Sequence, residues 1–394
     1  MLATHSVNET SYQQCADCNG KRNGKSRGKS NEVPVQTTVP LRLLHSGIAS
    51  EIAQNQREIA EFSDYLKLIG RGKKAGKTLT QEQAYRAMSL LLQQQVTAEQ
   101  RGAFLMLLRV REETETELAG FLQACREVSQ WHTFSGKHND TLQPDLDLGC
   151  YAGKRRHLPW LVLAVMALAQ QGYRIFLHGS PEPTGLQTPI ERLYLSEVWQ
   201  AFGWRVVRTP EQAALQLQQQ GFCYAPLSAV NPALYELIQL RATLGLRSCA
   251  NTLARMLNPS QAKHSVHGVF HRHFDERHVQ VAKLLGDDSV ACFRGDAGEI
   301  EVNPERDCVL WRCRQGNISH HSMPALLQST QVKPRTLAPE QIRDVWQGQA
   351  NLYGVSAVVG TIAVLLAVLE QGIPANMLPL AQNIWLNRDR TWPN

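Results

Sequence analysis

The spacing of apolar residues changes character once along this chain, and that change limits the available folds more than any single motif. From about residue 51 to 130, in IAEFSDYLKLIG, LTQEQAYRAMSLLL, VTAEQRGAFLMLLRV and ETELAGFLQACREV, apolar side chains recur three and four apart, the period of one helix face. Thr80 with Gln83, and Thr97 with Gln100, have capping-box spacing, which marks the starts of short antiparallel helices. Beyond a polar stretch near 132–143, short apolar runs alternate with longer helical patterns. Strands are predicted at DLDLG, YRIFLHG, WRVV (204–207), GFCYAP (221–226), SVHGVF (265–270) and SVACFRG (289–295). Such alternation builds parallel strands joined by crossover helices. The expected fold class is therefore α/β: a small all-helical N-terminal domain (45–132) and a larger α/β domain (143–394) whose mainly parallel central sheet is covered by helices.

Residues 1–40 read differently, with NGKRNGKSRGKSNE at their centre and no apolar periodicity, so they bury too little surface to offset the entropy of ordering. A disordered basic tail is expected there. For the whole chain, 43% hydrophobic and 19% charged residues exclude a largely disordered protein, and a net charge of +6 matters only if the cations cluster. The 9 cysteines are scattered, which fits reduced thiols in a cytoplasmic protein better than a disulfide framework. Cys15 and Cys18 form a C-x-x-C with no second half at zinc-ligand spacing. LYGVSAVVGTIAVLLAVL (352–369) is long enough to span a bilayer, but it carries Gly354, Ser356, Gly360 and Thr361 and lacks flanking charge asymmetry. It is expected to be a core helix covering the sheet, with no membrane partner. The histidines His264, His267, His271, His273 and His278 lie on a predicted strand and loop in mixed orientations, the pattern of satisfied or solvated side chains rather than a metal site.

Two long stretches carry a resemblance. LTQEQAYRAMSLLLQQQVTAEQRGAFLMLLRVREETETELAGF is similar to the helical domain of anthranilate phosphoribosyltransferases, and GFCYAPLSAVNPALYELIQLRATLGLRSCANTLARMLNP resembles the central stretch of that glycosyltransferase family 3. The likeness covers roughly residues 50 to 370. It implies a nucleoside-phosphorylase-like fold and a homodimer packed through the helical domains. It also implies a cleft in which an aromatic amine is joined to phosphoribosyl pyrophosphate with Mg²⁺. The family's GTGGD-type pyrophosphate loop corresponds to GCYAGKRRHLPW, where Cys150, Tyr151 and Ala152 stand at glycine-rich positions and Lys154, Arg155 and Arg156 follow. Its KHGN motif corresponds to Leu177, His178, Gly179 and Ser180, and its Ser-Lys-Ser-Gly segment to Glu191, Arg192, Leu193 and Tyr194. Its magnesium-holding Asp-Glu pair corresponds to Ile300 and Glu301. Asn231 replaces a family histidine, Arg241 and Asn251 match family residues, and a Gly-Pro reads Ala254 and Arg255.

The substitutions fall on phosphate and metal positions while fold positions persist. A second basic run, IGRGKKAGK, adds Arg71, Lys73, Lys74 and Lys77 on a turn that the resemblance puts near the same cleft. Two cationic runs on one groove favour a polyanion, because each phosphate contact releases counterions. Tyr151 and Trp160 are candidates for stacking on bases. The pattern is closest to a degenerate branch of the family known as nucleic-acid binders. The expected function is thus a non-catalytic homodimer, needing no cofactor, that binds single-stranded DNA or RNA with little sequence preference. Its expected contacts are Arg71, Lys73, Lys74, Lys77, Lys154, Arg155, Arg156, Arg192 and Arg255. The alternative is an active phosphoribosyl transferase. In that case His178, Arg241 and Asn251 are its residual catalytic positions, Gly149, Gly153 and Gly179 its phosphoribosyl pyrophosphate contacts, and Glu301 its Mg²⁺ ligand. An interaction scaffold using only the dimer face is a third class without a positive signal of its own.

Overall fold

Threonine caps start the first layer. The computed structural model describes residues 41–72, 76–129, 131, 143–179, 192–334 and 336–393, with side chains from Ile52 onward. The basic tail with Cys15 and Cys18, and Lys73, Lys74, Ser180 and Glu191, lie outside the described residues. The layer comprises α1 (Leu41–Ile69), α2 (Gln81–Leu92), α3 (Ala98–Arg111) and α4 (Glu115–Glu127). Both expected capping boxes form, and a third joins Thr114 to Glu117 at the start of α4. The buried Glu117 carboxylate also accepts the Leu79 N–H at 2.8 Å and pairs with Arg111 at 2.6 Å, so one acid secures two helix starts. α4 presses on α2 at Gly120, where an added Cβ would collide with the Gln81 carbonyl.

The sheet layer follows in the order β1 (Leu146–Cys150), α5 (Leu161–Ala169), β2 (Ile175–Gly179), α6 (Leu195–Ala201), α7 (Pro210–Gln220) and β3 (Phe222–Pro226). Next come α8 (Leu227–Val230), α9 (Pro232–Gln239), α10 (Arg241–Leu244), α11 (Ala250–Arg255), β4 (His264–Val269), α12 (Phe274–Leu285) and β5 (Ser289–Arg294). The chain closes with β6 (Cys308–Arg314), β7 (Asn317–Met323), α13 (Glu340–Gln347), α14 (Leu352–Leu369) and α15 (Pro374–Leu386). The strands form one sheet in the order β3-β2-β1-β4-β5-β6-β7. Pairing is parallel from β3 through β5 in the sheet order and antiparallel from β5 through β7.

Two expectations need correction. WRVV is not a strand: Val207 donates to the Tyr224 carbonyl at 2.9 Å beside β3, but no ladder continues from that bond. The β6–β7 hairpin has no counterpart among the predicted strands; its turn uses Gln315 and Gly316, both at positive φ. Elsewhere the period-2 alternation sorts side chains between faces. Leu146 and Leu148, Ile175 and Leu177, and Phe222 and Tyr224 point into a core shared with α5, α6 and α13–α15. Phe176, Cys223 and Ala225 point the other way, into a core continuous with α2–α4 and α7–α9. α14 is buried along most of its length as the expected cover helix, with 78% of its apolar window inside the fold.

Polar contacts tie the helical layer to the sheet layer. Arg126 of α4 forms a two-pronged pair with Asp287 at 2.7 and 2.9 Å while also donating to the Met256 and Leu257 carbonyls. Asn231 caps α9 through the Leu234 N–H at 3.0 Å and donates to the Cys125 carbonyl at 2.8 Å, so this position has a structural task. The described cysteines are free and buried.

Among the histidines, His267 and His278 are buried against each other with Nδ1 atoms 3.2 Å apart, while His264 meets Ser289 at 2.8 Å. Burial, reinforced by Arg255, pushes the His278 pKa down to about 3, and burial with His278 as neighbour holds His267 well below the ordinary imidazole range. A base depressed in the folded state stabilises the fold above its unfolded pKa, and that stability is lost as pH falls below it. Urea unfolding should therefore show a loss of about 2 kcal/mol per imidazole between pH 7 and pH 5. A pH-independent midpoint over that interval would contradict the assignment.

Candidate anion-binding site

The C-terminal ends of β1, β4 and β5 meet at one edge of the sheet, and the loops leaving them build the site. After Cys150 the chain turns through Tyr151, Ala152 and Gly153. Gly153 sits at φ +68°, and an added Cβ would lie 2.8 Å from the Tyr194 ring, so both conformation and space require glycine. This turn aims two successive N–H groups, Ala152 and Gly153, at one acceptor: Oε1 of Glu299, at 2.6 and 2.5 Å. Converging N–H groups around a left-handed residue form a nest for an anion. The back of the turn is held by Arg192, whose Nη1 donates to the Ala152 carbonyl at 2.9 Å and the Gly153 carbonyl at 3.3 Å. Lys154 and Leu193 then exchange backbone hydrogen bonds at 2.8 and 2.7 Å.

Lys154 does not face a groove. Its side chain is 1% exposed, and its ammonium donates to Asp296 Oδ2 and, at 2.6 Å, to Glu301 Oε1. Glu301 Oε2 accepts the Leu161 N–H that opens α5, at 2.9 Å, and Asp296 Oδ1 accepts from Asn303 at 3.1 Å. Burial alone would lower the Lys154 pKa, but Glu301 and Asp296 reverse this and hold it above the ordinary lysine value. Burial works to raise Asp296, and Lys154 overcomes it, keeping that carboxylate ionised. Burial pushes Glu301 up while Lys154 pulls it down; with an ammonium on one oxygen and an N–H on the other, the charged pair is the state the geometry supports. Lys154 is therefore withdrawn from the expected nucleic-acid contacts, because its charge is spent on two buried carboxylates.

The remaining cations lie around the nest, Arg192 behind it and Arg155, Arg156 and Arg241 exposed. Burial lowers the pKa values of Arg192, Arg247 and Arg255; Arg247, Arg155 and Arg241 add repulsion on Arg192, Arg241 adds it on Arg247, and Arg255 is held up by Glu299 against repulsion from Arg247. Glu299 and the Tyr194 hydroxyl are the opposing influences on Arg247. The Nε atoms of Arg192 and Arg255, and Glu299 Oε2, are buried with no hydrogen-bond partner among the described residues. Arg241 and Arg156 are exposed. Arg71 and Lys77 are exposed on the turn after α1, and no hydrogen bond or ion pair joins their side chains to this cluster among the described residues.

The other expected positions serve the fold. Gly149 lets β1 approach α11: its Cβ would lie 3.0 Å from the Arg255 Cα, and at Gly179 a Cβ would collide with the Cys150 carbonyl. His178 sits in a buried relay. Tyr151 Oη–H donates to His178 Nδ1 (2.6 Å), His178 Nε2–H donates to Asp147 Oδ1 (3.0 Å), and Ser260 Oγ–H donates to Asp147 Oδ2 (2.6 Å). Asp147 only accepts, which fixes the imidazole tautomer. Asn251 supplies its backbone carbonyl to Arg255. Tyr151 and Trp160 are buried, so they are withdrawn as stacking platforms. Sequence reasoning missed Asp296, Glu299, Arg247 and the 55% exposed Phe270, which lies 3.1 Å from the Cβ position of Gly298. For Asp296 a signal existed: it is one of the acids in GDAGEIE that stand against the cations in GKRRH.

Comparison with known proteins fits this architecture. Residues 63–129 match the helical bundle domain of a glycosyl transferase family, and residues 196–371 match its a/b domain. The chain belongs to the anthranilate phosphoribosyltransferase-like glycosyl transferase family. It is 25% identical over 321 residues to an anthranilate phosphoribosyltransferase of Geobacillus sp. (strain WCH70), covering 76% of this chain and 88% of that protein. It is 30% identical to an uncharacterized protein of Aquifex aeolicus (strain VF5), over 58% of this chain and 66% of that one. In fold it resembles the anthranilate phosphoribosyltransferase of Thermus thermophilus, with a TM-score of 0.64, 19% identity, and 82% and 94% of the two chains covered. It also resembles the Saccharomyces cerevisiae enzyme in complex with PRPP and Mg, with a TM-score of 0.65, 13% identity, and 82% and 93% covered.

Removing one member of a buried ion cluster strands its partners, which typically costs about 3–5 kcal/mol. Lys154→Met should cost that order in urea unfolding, and adding Glu301→Leu should recover part of it. A Lys154→Met protein as stable as the parent would contradict the cluster's role.

Proposed function

We propose that this protein binds single-stranded nucleic acid along the arginine cluster at the sheet edge and does not carry out phosphoribosyl transfer. One observation carries the reading: the two anion-seeking N–H groups are satisfied by Glu299 and the Glu301 carboxylate by Lys154, while Arg192, Arg241, Arg247 and Arg255 gather around them. The site residues do not fit phosphoribosyl pyrophosphate with Mg²⁺. A carboxylate stands in the phosphate nest, Ile300 is wholly buried and offers no oxygen, and Glu301 already holds an ammonium.

The physics favours a polyanion. Guanidinium groups that repel one another and are partly desolvated gain from phosphate oxygens, whose charge each can share through paired N–H donors. Phe270 offers an exposed ring beside the Gly298 turn, next to Glu299 in sequence, and an aromatic face accepts any base. Stacking plus charge explains binding without sequence preference. The homodimer expected from the resemblance would present two such edges to one strand.

A site engaging about 4 phosphates should give a slope of log affinity against log salt near −3 with an oligonucleotide. The Arg192→Ala/Arg241→Ala/Arg247→Ala protein should flatten that slope by about 2. Phe270→Ala should lose about 1–3 kcal/mol with little change in slope. Fluorescence anisotropy at several salt concentrations reads both. Retained His178, Arg241 and Glu301 and the names of the relatives favour the transferase reading. Mg²⁺-dependent turnover of phosphoribosyl pyrophosphate with anthranilate, without salt-sensitive nucleic-acid binding, would reverse the conclusion.

A further inference from the structure

Glu299 is the least expected member of the site. It lies between the helix-like turn Asp296–Gly298 and the buried Ile300, and its backbone packs under Gly268 of β4, where an added Cβ would lie 2.6 Å from the Ile300 nitrogen. The backbone is thereby fixed, and the side chain, 7% exposed, is directed into the nest. Oε1 takes both N–H groups and Oε2 takes no partner among the described residues; burial pushes the carboxyl pKa up, opposed by the Gly153 N–H and by Arg255. A carboxylate oriented only for stability would satisfy both oxygens, since a buried unsatisfied polar atom costs free energy. Here one oxygen is used and Arg255 Nε is also left unpaired. The arrangement is that of a bound anion with spare donors around it.

We propose that Glu299 is a built-in anion that holds this nest shut against phosphate-bearing ligands, so that removing its charge creates a site for inorganic pyrophosphate. Glu299 is then a specificity-determining residue. It keeps small phosphates out of the turn and leaves the outer arginines to a ligand whose phosphates stay at the surface. The assignment stands on the Ala152, Gly153 and Glu299 geometry and does not depend on the nucleic-acid reading.

The test titrates the full chain with inorganic pyrophosphate by calorimetry, with thermal unfolding recorded for each variant. The parent should bind weakly. Glu299→Gln, which preserves shape and the oxygen acceptor but removes the charge, should bind at least about fivefold tighter, and Glu299→Ala, which empties the nest, at least about tenfold tighter. Arg255→Ala placed on Glu299→Gln should abolish the gain. A folded Glu299→Gln protein with parental pyrophosphate affinity overturns the proposal whatever Glu299→Ala does. Failure of Glu299→Gln to fold also overturns it, because the carboxylate is then a structural anchor and not a gate. Oligonucleotide binding by the arginine variants is a separate readout, so either proposal can fail alone.

Discussion

The buried contact of Lys154 with Asp296 and Glu301 governs the functional edge of this protein. It joins the loop after β1 to the loop after β5, across β4 which lies between them in the sheet. Two carboxylates and an ammonium leave water together, which costs least when their geometry is close and further hydrogen bonds reach the remaining polar atoms. The Leu161 N–H and the Asn303 amide each add one such bond. The contact also fixes where the neighbouring turn points, because Lys154 follows Gly153 directly and Glu299 lies between the two acids in sequence. Geometry of the nest and occupancy of the nest are thus consequences of one clamp.

The clamp also redistributes charge. Of the three cations in the KRR run, one is neutralised inside the protein, and the rim of the nest is left to arginines from several separate segments. Arg192 precedes the Leu193 bridge, Arg241 opens α10, Arg247 lies between α10 and α11, and Arg255 ends α11. They are brought together because parallel strands place their C-terminal loops at one edge, the position where open α/β sheets hold their ligands. A sequence run of cations is therefore a poor guide to the field at the surface, while cations distant in sequence produce it.

Much of the fold was legible because its determinants are local or periodic. Thr80 and Thr97 with their glutamines mark helix starts that need no tertiary information, and alternating Leu146, Leu148, Ile175 and Leu177 mark buried strands. WRVV misled because strand propensity says nothing about whether a partner edge continues beside it; Val207 finds one bond to Tyr224 and no more. The site was less legible. Lys154 and Arg155 are adjacent and chemically alike, yet one is buried and the other exposed, and only the depth of the turn after β1 separates them. Glu299 was invisible because its partners are backbone N–H groups more than a hundred residues away, which leave no mark in side-chain identity. Tyr151 failed as a base platform for a related reason: its hydroxyl completes the relay through His178 and Asp147, so the ring is drawn inward.

The same reasoning explains how a family fold outlasts a change at its site. Capping boxes, the α2–α4 contact at Gly120 and the Arg126–Asp287 bridge involve none of the residues of the nest. A carboxylate placed in an anion nest meets a need the turn already has, since the N–H groups there require an acceptor in any case and an internal one carries no translational entropy penalty. An internal anion also acts at an effective concentration that a dilute external phosphate does not reach. Occupying the nest from within thus keeps the turn rigid, satisfies its donors permanently, and shifts recognition outward to groups that remain solvated enough to exchange counterions for phosphates. A binding surface built on a silent cradle needs no new fold, only a relocation of charge by a few residues.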